Sequence, residues 1–311
     1  MDHNSRILIT GGKGFLGTFL FKKLREKGYN NIITFTSKEY DITKEEEVKK
    51  LFENLGPFDI VLHLAARVGG IMFNKKNSGR IFYENIMMNT LVQEYSRRNN
   101  VKKFVGIGSV CSYPKFTEVP FLEEELWLGY PEESNASYGL GKKMMLVQSQ
   151  AYREQYNFNS IHLLMINLYG PGDNFNSESS HVIPALIKKI KDAVDNNSDK
   201  VEVWGSGNAS REFLYVEDAA EGIIKAMENY DGFSPVNLGS GKEITIRDLV
   251  EKICLLMRFE GEIIYDKSKP EGQIRRCLNT EKAKKLFNFN AETPIDIGLK
   301  RTIDFYLNSK K

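Results

Sequence analysis

The stretch Arg6-Ile7-Leu8-Ile9-Thr10-Gly11-Gly12-Lys13-Gly14-Phe15-Leu16-Gly17 decides the fold of this chain. Residues 6–10 form an apolar run that predicts a buried strand, and apolar side chains at helical spacing predict a helix over residues 15–27. The glycines between them allow a tight turn and a close approach of the backbone to a pyrophosphate at the helix N-terminus. An ordinary glycine-rich turn is the alternative, but the place between a strand and a helix favours a dinucleotide-binding loop.

The rest of the chain alternates strands with helices. Strands are predicted at 31–36, 59–64, 103–107 and 160–166, and helices at 43–55, 80–99 and 138–154, with Thr43 as the N-cap of the helix 43–55. This alternation predicts an α/β fold with a Rossmann-like, doubly wound parallel sheet. After residue 167 the pattern changes, and helices at 181–195, 217–229 and 246–257 with strands at 201–203, 236–238 and 262–265 predict a smaller C-terminal α/β region.

The composition argues against several classes of protein. The chain has 311 residues with 41% hydrophobic side chains and a formal net charge of +2, without the long basic block that nucleic-acid binding favours. No apolar run is long enough to span a bilayer, so no membrane partner is expected. Cys111, Cys254 and Cys277 lack the spacing of a metal site, and their odd number suits the reducing cytoplasm.

The end of the second predicted strand bears on the choice of dinucleotide. NAD-binding loops usually place an acid there for the ribose hydroxyls. Here Ser37 and Lys38 offer a hydroxyl and a cation, which suit a 2′-phosphate and favour NADP. Glu39 keeps NAD open as an alternative, and a purely solvated Lys38 is the other interpretation. Asp41 lies where a contact to the adenine is expected.

Ser109 and a Tyr138/Lys142 pair follow the glycine loop along the chain. Residues four apart share one face of a helix, so the phenol and the ammonium are expected side by side. Lys142 is expected to lower the pKa of Tyr138, whose hydroxyl can then pass a proton to a reacting oxygen. A dinucleotide loop, a serine and this pair indicate a nicotinamide enzyme that acts on an alcohol or a ketone.

Segments along nearly the whole chain carry a resemblance to a known family. The glycine loop, His63-Leu64-Ala65-Ala66, Ser109 and Tyr138/Lys142 resemble the extended short-chain dehydrogenase/reductases. Within that family the chain is similar to the GDP-L-fucose synthases through Ala65-Ala66-Arg67-Val68-Gly69-Gly70-Ile71, Gly108-Ser109-Val110-Cys111-Ser112-Tyr113-Pro114, Asn167-Leu168-Tyr169-Gly170-Pro171-Gly172-Asp173-Asn174-Phe175, Ser180-His181-Val182-Ile183-Pro184-Ala185-Leu186, Val203-Trp204-Gly205-Ser206-Gly207, Arg211-Glu212-Phe213-Leu214 and Lys269-Pro270-Glu271-Gly272.

The resemblance implies a reaction and a set of site residues. It implies reduction of the C4 ketone of a GDP-4-keto sugar by NADPH, in which Tyr138 supplies a proton and Ser109 holds the carbonyl, and epimerisation at C3 and C5 by Cys111 and His181. The implied cofactor contacts are Gly11, Gly14, Phe15, Leu16, Gly17, Ser37, Lys38, Asp41, Ala65, Ala66, Tyr138, Lys142 and Leu168. The implied substrate contacts are Asn167, His181, Val182, Lys189, Trp204, Arg211 and Arg275.

The resemblance also implies an organisation for the molecule. Residues 1–170, with about 213–240, are expected to form the NADP-binding domain, and 171–212 with 241–311 the nucleotide-sugar domain. The helices at 80–99 and 138–154 are expected to form a four-helix bundle between the subunits of a homodimer. The product is expected to serve capsule polysaccharide or surface-glycan synthesis.

Two departures from the family pattern keep alternatives open. Val110 stands where the family has a serine, which predicts less polar support beside Cys111. Gly139 stands where the family has alanine, which predicts more space near Tyr138. A C4 reductase that acts on a larger, already epimerised sugar such as a 4-keto heptose is therefore one alternative. A redox-neutral 4-epimerase that retains its NAD is another.

Overall fold

The structure of the chain is a computed structural model and describes residues 1–176, 179–269 and 271–309. Ser177 and Glu178, at the end of the Gly-, Asn- and Ser-rich loop, and Pro270 of the Lys269-Pro270-Glu271-Gly272 segment lie outside the described residues, as do 310 and 311.

Strands and helices alternate through most of the described chain. The strands are β1 (Ile7–Thr10), β2 (Ile32–Thr34), β3 (Ile60–His63), β4 (Lys103–Ser109), β5 (Ser160–Met165), β6 (Asn167–Tyr169), β7 (Lys200–Trp204), β8 (Ser210–Tyr215), β9 (Val236–Leu238), β10 (Glu243–Thr245) and β11 (Glu262–Asp266). The α-helices are α1 (Phe15–Glu26), α2 (Glu45–Leu55), α3 (Ile71–Lys76), α4 (Ser78–Arg98), α5 (Ala136–Tyr156), α6 (Val182–Asp195), α7 (Val216–Asn229), α8 (Ile246–Met257), α9 (Glu281–Phe287) and α10 (Ile295–Asn308).

A parallel sheet with the strand order β2-β1-β3-β4-β5-β9 forms the centre of the molecule. The chain passes from β1 to β2 on one side and then crosses to β3 on the other, so the strand order reverses between β1 and β3. In register, Thr10 at the end of β1 pairs with His63 at the end of β3. Ligands of open α/β sheets bind at the carboxyl ends of the strands at such a reversal, which places a site beside the glycine loop.

Helices cover both faces of this sheet. On one face Leu20 of α1 and Met227 of α7 belong to one buried apolar cluster. On the other face Leu51, Val92 and Met145, from α2, α4 and α5, belong to a second cluster. The central strands β1, β3 and β4 are buried throughout, as expected for strands covered on both faces. The predicted Rossmann-like α/β fold is confirmed.

A third apolar cluster lies in the later part of the chain. It joins α6, α8 and α10 through Ile187, Ile253 and Ile303. A mixed sheet β10-β8-β6 and a parallel pair β11-β7 accompany it. Ala283 and Phe287 of α9 belong to the first cluster, although they fall in the range predicted for the second domain. The division into two domains stays a prediction.

The predicted bounds of most elements agree with the structure to within a few residues, and α8 and β9 match fully. The N-cap predicted at Thr43 is wrong. The helix α2 begins at Glu45 after Lys44, and the Thr43 hydroxyl donates to Asp41 Oδ1 at 2.7 Å instead. No prediction covers α3, α9, α10, β6, β8 and β10.

Among the described residues, no helix has the length and apolar character needed to cross a bilayer.

Candidate active site

The glycine loop lies at the reversal of strand order. Gly11 has a φ of +71°, and a Cβ built on it would lie 2.9 Å from the backbone nitrogen of Ala65. A Cβ on Gly17 would lie 2.2 Å from the carbonyl oxygen of Gly11. Gly14 is the N-cap of α1 and has no side chain to occupy the first N–H groups of the helix. The loop therefore brings free backbone donors to the place where a pyrophosphate would sit, which fits a dinucleotide.

A buried histidine fastens the elements behind this loop. His63 Nδ1 lies 2.7 Å from Thr10 Oγ1, and Nε2 lies 3.0 Å from Asn89 Oδ1. Because an amide oxygen only accepts, Nε2 carries the proton and the Thr10 hydroxyl donates to Nδ1. Burial, followed by the charge of Lys142, lowers the pKa of His63 to about 3. His63 is therefore a neutral structural link between β1, β3 and α4.

The turn after β2 holds its carboxylates in local bonds. Glu39 accepts from Thr36 N at 2.7 Å and from Thr36 Oγ1 at 2.8 Å. Asp41 accepts from Thr43, and Lys44 Nζ lies 3.4 Å from its Oδ2. Ser37, Lys38 and Glu39 are exposed. The turn therefore presents a hydroxyl, a cation and a carboxylate of which one oxygen is already bonded to Thr36.

Ser109 and Tyr138 meet at the carboxyl end of β4. Both side chains are buried, and the Ser109 hydroxyl interacts with the phenol of Tyr138. Burial raises the pKa of Tyr138, the charge of Cys111 raises it further, and the interaction with Ser109 opposes the shift. The predicted lowering of the Tyr138 pKa by Lys142 is not observed: removal of the phenol from water is the largest influence, and the opposing influence comes from Ser109.

Lys142 lies one helical turn beyond Tyr138, with only 2% of its surface exposed. Its Nζ is buried and has no hydrogen-bond partner among the described residues. Burial lowers its pKa to about 7. A buried ammonium needs acceptors, and the hydroxyls of a nicotinamide ribose would supply them. The unpartnered nitrogen beside the glycine loop therefore fits a bound dinucleotide.

Cys111 lies in a one-turn 3-10 helix that packs directly on α5. Its backbone N–H donates to Ser109 Oγ at 3.1 Å. A Cβ on Gly139 would lie 2.0 Å from the Cys111 carbonyl oxygen, and Ser112 Oγ donates to Gly139 O at 2.8 Å. The extra space predicted from Gly139 is therefore wrong, because the backbone of the Cys111 turn occupies it.

Arg276 supplies polar support to Cys111 that sequence reasoning missed. Its Nη1 lies 3.7 Å from Cys111 Sγ, and its Nε donates to Gln273 Oε1 at 2.9 Å. The predicted loss of polar support at Val110 is thus offset from a distant part of the chain. The available signal was a second arginine next to Arg275, but nothing in the sequence indicates which of the two turns inward.

Residues 7–239 match the NAD dependent epimerase/dehydratase family. The chain belongs to this family. GDP-L-fucose synthase 1 of Arabidopsis thaliana is 35% identical over 99% of this chain and 95% of its own length. A GDP-6-OMe-4-keto-L-xylo-heptose reductase from C. jejuni has a TM-score of 0.93 at 28% identity, with 99% of both chains covered. A GDP-mannoheptose C4 reductase from Campylobacter jejuni, solved with NADP bound, has a TM-score of 0.89 at 30% identity and the same coverage. The predicted family is confirmed.

The second predicted acid–base residue of this epimerase/dehydratase chain lies at the start of α6. His181 is the N-cap of that helix and is exposed to solvent, while the protein around it removes enough water to lower its pKa. Val182 follows and is half-buried. Gly70 donates its N–H to the Ser179 carbonyl at 3.0 Å, which attaches this segment to the loop after β3.

Two predicted contacts lie on β6. Asn167 Nδ2 donates to the carbonyl of Glu212 at 3.0 Å, and Leu168 is half-buried on the same strand. The Asn167 amide therefore links β6 to β8, the strand that carries Arg211. Its predicted substrate contact stays a prediction.

The structure pairs four of the predicted substrate contacts with neighbouring groups. Arg211 donates to Ser210 O at 2.6 Å and to Glu271 O at 2.8 Å, and burial, followed by the charge of Arg276, lowers its pKa to about 10. Lys189 Nζ lies 5.3 Å from the centre of the Trp204 ring. Arg275, by contrast, is exposed and forms an ion pair with Glu243 on β10.

Direct contacts join Ser109, Cys111, Tyr138 and Arg276, whereas Lys189 with Trp204 and Arg275 with Glu243 form separate outer pairs. Within the part of the chain that the structure describes, no group of three His, Cys, Asp or Glu residues is placed to hold a metal ion. The chemistry available at the centre is proton transfer around a carbonyl.

Proposed function

We propose that this chain reduces the C4 ketone of a GDP-4-keto sugar with NADPH and epimerises the sugar at C3 and C5. The observation that carries the proposal is the buried contact of Tyr138 with Ser109, next to the unpartnered Lys142 Nζ and the Cys111 turn. The relatives are a GDP-L-fucose synthase and GDP-heptose reductases, which supports a GDP-sugar as the substrate.

The residues divide the reaction between two proton-transfer centres. NADPH supplies the hydride that reduces C4. Tyr138 gives its proton to the developing alkoxide, and Ser109 holds the same oxygen by a hydrogen bond. Cys111 and His181 remove and return the protons on C3 and C5, which the neighbouring ketone acidifies. Lys142 holds the ribose of the cofactor.

NADP is the proposed cofactor because of the turn after β2. One oxygen of the Glu39 carboxylate, Oε2, already accepts two bonds from Thr36, and the hydroxyl of Ser37 and the cation of Lys38 are exposed beside it. The relative that was solved with NADP bound supports the same choice. NAD is the weaker alternative.

The nucleotide part of the substrate is proposed to be held by Arg211, Trp204 and Lys189. Arg211 is held by two backbone carbonyls, which leaves a fixed guanidinium for the pyrophosphate. Trp204 offers an exposed ring beside Lys189. The GDP-sugar product would enter capsule or surface-glycan synthesis in the cytoplasm.

A homodimer is part of the proposal. Phe82 and Tyr83 on α4 and Met144 and Val147 on α5 are exposed apolar side chains on the two packed helices. A second pair of the same helices would cover them as a four-helix bundle. Neither nucleic acid nor membrane is a proposed partner.

A C4 reductase without epimerase activity is the second candidate. A cavity of about 370 Å³ is lined by Ile71, Met72, Lys75, Ser78, the residues 132–134 and Gly272. Gly272 lies beside Arg211, since a Cβ on it would be 3.2 Å from Nη2. The two Campylobacter enzymes are reductases of GDP-heptoses, which favours this candidate. A redox-neutral 4-epimerase is a third candidate, and only that enzyme would purify with NAD bound.

Turnover of GDP-4-keto-6-deoxy-mannose with NADPH in heavy water tests the proposal, with the product analysed by NMR. A reduced sugar with deuterium at C3 and C5 is the expected product. Reduction without deuterium would support the reductase-only candidate. No reduction of this sugar, with reduction of a 4-keto heptose, would move the substrate class to heptoses. No NADPH oxidation with either sugar would contradict the proposal.

A further inference from the structure

Arg276 reaches the sulfur of Cys111 from the far end of the chain. The arginine is buried, with 8% of its surface exposed, and Nη1 lies 3.7 Å from Sγ. Within residues 1–176, 179–269 and 271–309, no carboxylate forms an ion pair with this guanidinium. A buried cation without a carboxylate partner is costly unless another group supplies negative charge. The contacting group able to ionise is the Cys111 thiol.

Gln273 fixes the direction of this guanidinium. Both Nε and Nη2 of Arg276 donate to Gln273 Oε1. The other end of the amide donates to Lys115 O at 2.7 Å, in the segment that follows the Cys111 turn. Two of the three guanidinium nitrogens are thus engaged with one amide, and the third faces the sulfur.

Two further titratable side chains interact directly with this pair, Tyr138 with Cys111 and Arg211 with Arg276. Tyr138 interacts with Cys111 and keeps its proton, since burial raises its pKa. Arg211 interacts with Arg276 and is a second cation, and the carboxylates of Glu271, Glu243 and Glu132 act on Arg211 in turn. The charged group in contact with the sulfur is the Arg276 guanidinium, and a cation in contact with a sulfur favours a thiolate over a thiol.

We propose that Arg276, oriented by Gln273, is the positioning residue that holds Cys111 as a thiolate for proton transfer. This inference rests on the role proposed above for Cys111. The thiolate takes a proton from the carbon next to the C4 ketone and becomes a thiol. The C–H electron pair forms the double bond of an enolate, and the carbonyl pair moves to oxygen. A proton returned to the opposite face ends the step, which consumes no oxidant.

Alkylation of Cys111 by iodoacetamide, measured site by site with mass spectrometry, tests the inference without any substrate. The rate at about pH 9.5 reports access to the sulfur, and the ratio of the rates at about pH 7 and about pH 9.5 reports the ionised fraction at neutral pH. In Arg276→Met we expect this ratio to fall about tenfold, and in Arg276→Lys to stay within about threefold of the wild type. Gln273→Leu should lower it by a smaller factor.

Arg301→Met is the matched control, because it removes an exposed arginine that pairs with Glu217 away from this site. Cys254 and Cys277 are buried and report unfolding in every variant. If Cys254 and Cys277 become reactive in Arg276→Met, that variant has unfolded. The inference is then tested by the ratios of Cys111 alkylation rates in Arg276→Lys and Gln273→Leu. An unchanged ratio in Arg276→Met with both cysteines protected, or a drop in Arg276→Lys as large as in Arg276→Met, would overturn the inference.

Failure of this inference is distinguishable from failure of the proposed function. The wild-type protein could reduce the sugar and exchange deuterium while the alkylation ratio stays the same in the Arg276 variants. In that case the proposed function stands and the role inferred for Arg276 is contradicted. The wild-type protein could instead turn over no GDP-4-keto sugar while Arg276→Met still lowers the alkylation ratio. In that case the proposed function is contradicted and the inferred pair of Arg276 with a Cys111 thiolate stands. If both the proposed function and this inference are correct, Arg276→Met also lowers the amount of deuterium incorporated per molecule of sugar reduced, and Arg276→Lys restores it.

Discussion

Tyr138 holds its proton in this site, because burial raises its pKa and the interaction with Ser109 opposes only part of that shift. A group that must donate a proton to an alkoxide at neutral pH needs this state. In Tyr138→Phe the hydroxyl is lost, and we expect kcat to fall by about 10² to 10⁴ with NADPH binding unchanged. Steady-state rates and NADPH fluorescence titration measure both quantities.

Tyr156→Phe is the control for that substitution, since Tyr156 is the last residue of the same helix and is exposed. It should retain the wild-type rate. A Tyr138→Phe variant with more than about a tenth of the wild-type kcat would show that another group donates the proton.

Lys38 is the residue proposed to favour NADP over NAD. In Lys38→Ala we expect the KM for NADPH to rise about tenfold, because one cation near a phosphate is lost, while the KM for NADH stays the same. Lys50→Ala on α2 removes another exposed lysine and should change neither constant. Equal changes for both cofactors would contradict a phosphate contact.

At the scale of elements, the Cys111 turn and α5 form one packed unit through Gly139. A methyl group at Gly139 would collide with the Cys111 backbone at 2.0 Å. We expect Gly139→Ala to lower the free energy of unfolding by about 1–3 kcal/mol, because the turn must move off the helix. Urea unfolding measures the change.

Gly79→Ala is the matched helical control, because a Cβ there meets nothing within 4 Å. It should raise the free energy of unfolding by up to about 1 kcal/mol through helix propensity. Equal effects of the two substitutions would show that the close approach at Gly139 does not constrain the turn.

The carboxyl of Asp173, in the loop after β6, makes the free energy of unfolding depend on pH. Burial raises the pKa of Asp173 from 3.8 to about 7, and its Oδ2 has no partner among the described residues. The unfolded chain therefore ionises Asp173 at a lower pH than the folded protein does. The free energy of unfolding should fall as pH rises from 3.8 towards about 7 and then level off.

Asp173→Asn removes that dependence. At about pH 8 we expect the variant to be more stable than the wild type by up to about 4 kcal/mol, and the difference should shrink towards about pH 4. Urea unfolding at the two pH values measures it. A difference of the same size at both would show that the carboxyl ionises normally in the folded state.

At the scale of the whole molecule, the exposed apolar residues of α4 and α5 carry the proposed dimer. The double variant Phe82→Glu with Val147→Glu should be a monomer, because burial of carboxylates in an apolar interface is costly. Light scattering at micromolar concentration measures the mass. Phe116→Glu, which changes a phenylalanine with 91% of its surface exposed on a loop, should leave it unchanged.

A monomeric wild-type protein would contradict the dimer. A double variant that kept the wild-type dimer mass would place the interface on another face. Activity measured on the same samples would show whether the active site depends on the second subunit.

The sequence by itself determined the Rossmann-like part of the fold and the candidate reacting groups. Apolar periodicity of 2 and 3.6 residues and the spacing of the glycines are local properties, so β1, α1 and the loop between them were predictable. The candidate set of Ser109, Tyr138 and Lys142 could also be proposed from the sequence, because these residues lie within or next to elements of strong periodicity.

Only the tertiary structure decided the contacts that cross the chain. The approach of Gly139 to Cys111 and of Arg276 to the sulfur joins residues 28 and 165 positions apart, and no sequence spacing encodes such a pairing. The pKa of Tyr138 likewise follows from how much water packing removes. Periodicity fixes which face of an element is buried, whereas packing fixes which buried groups meet.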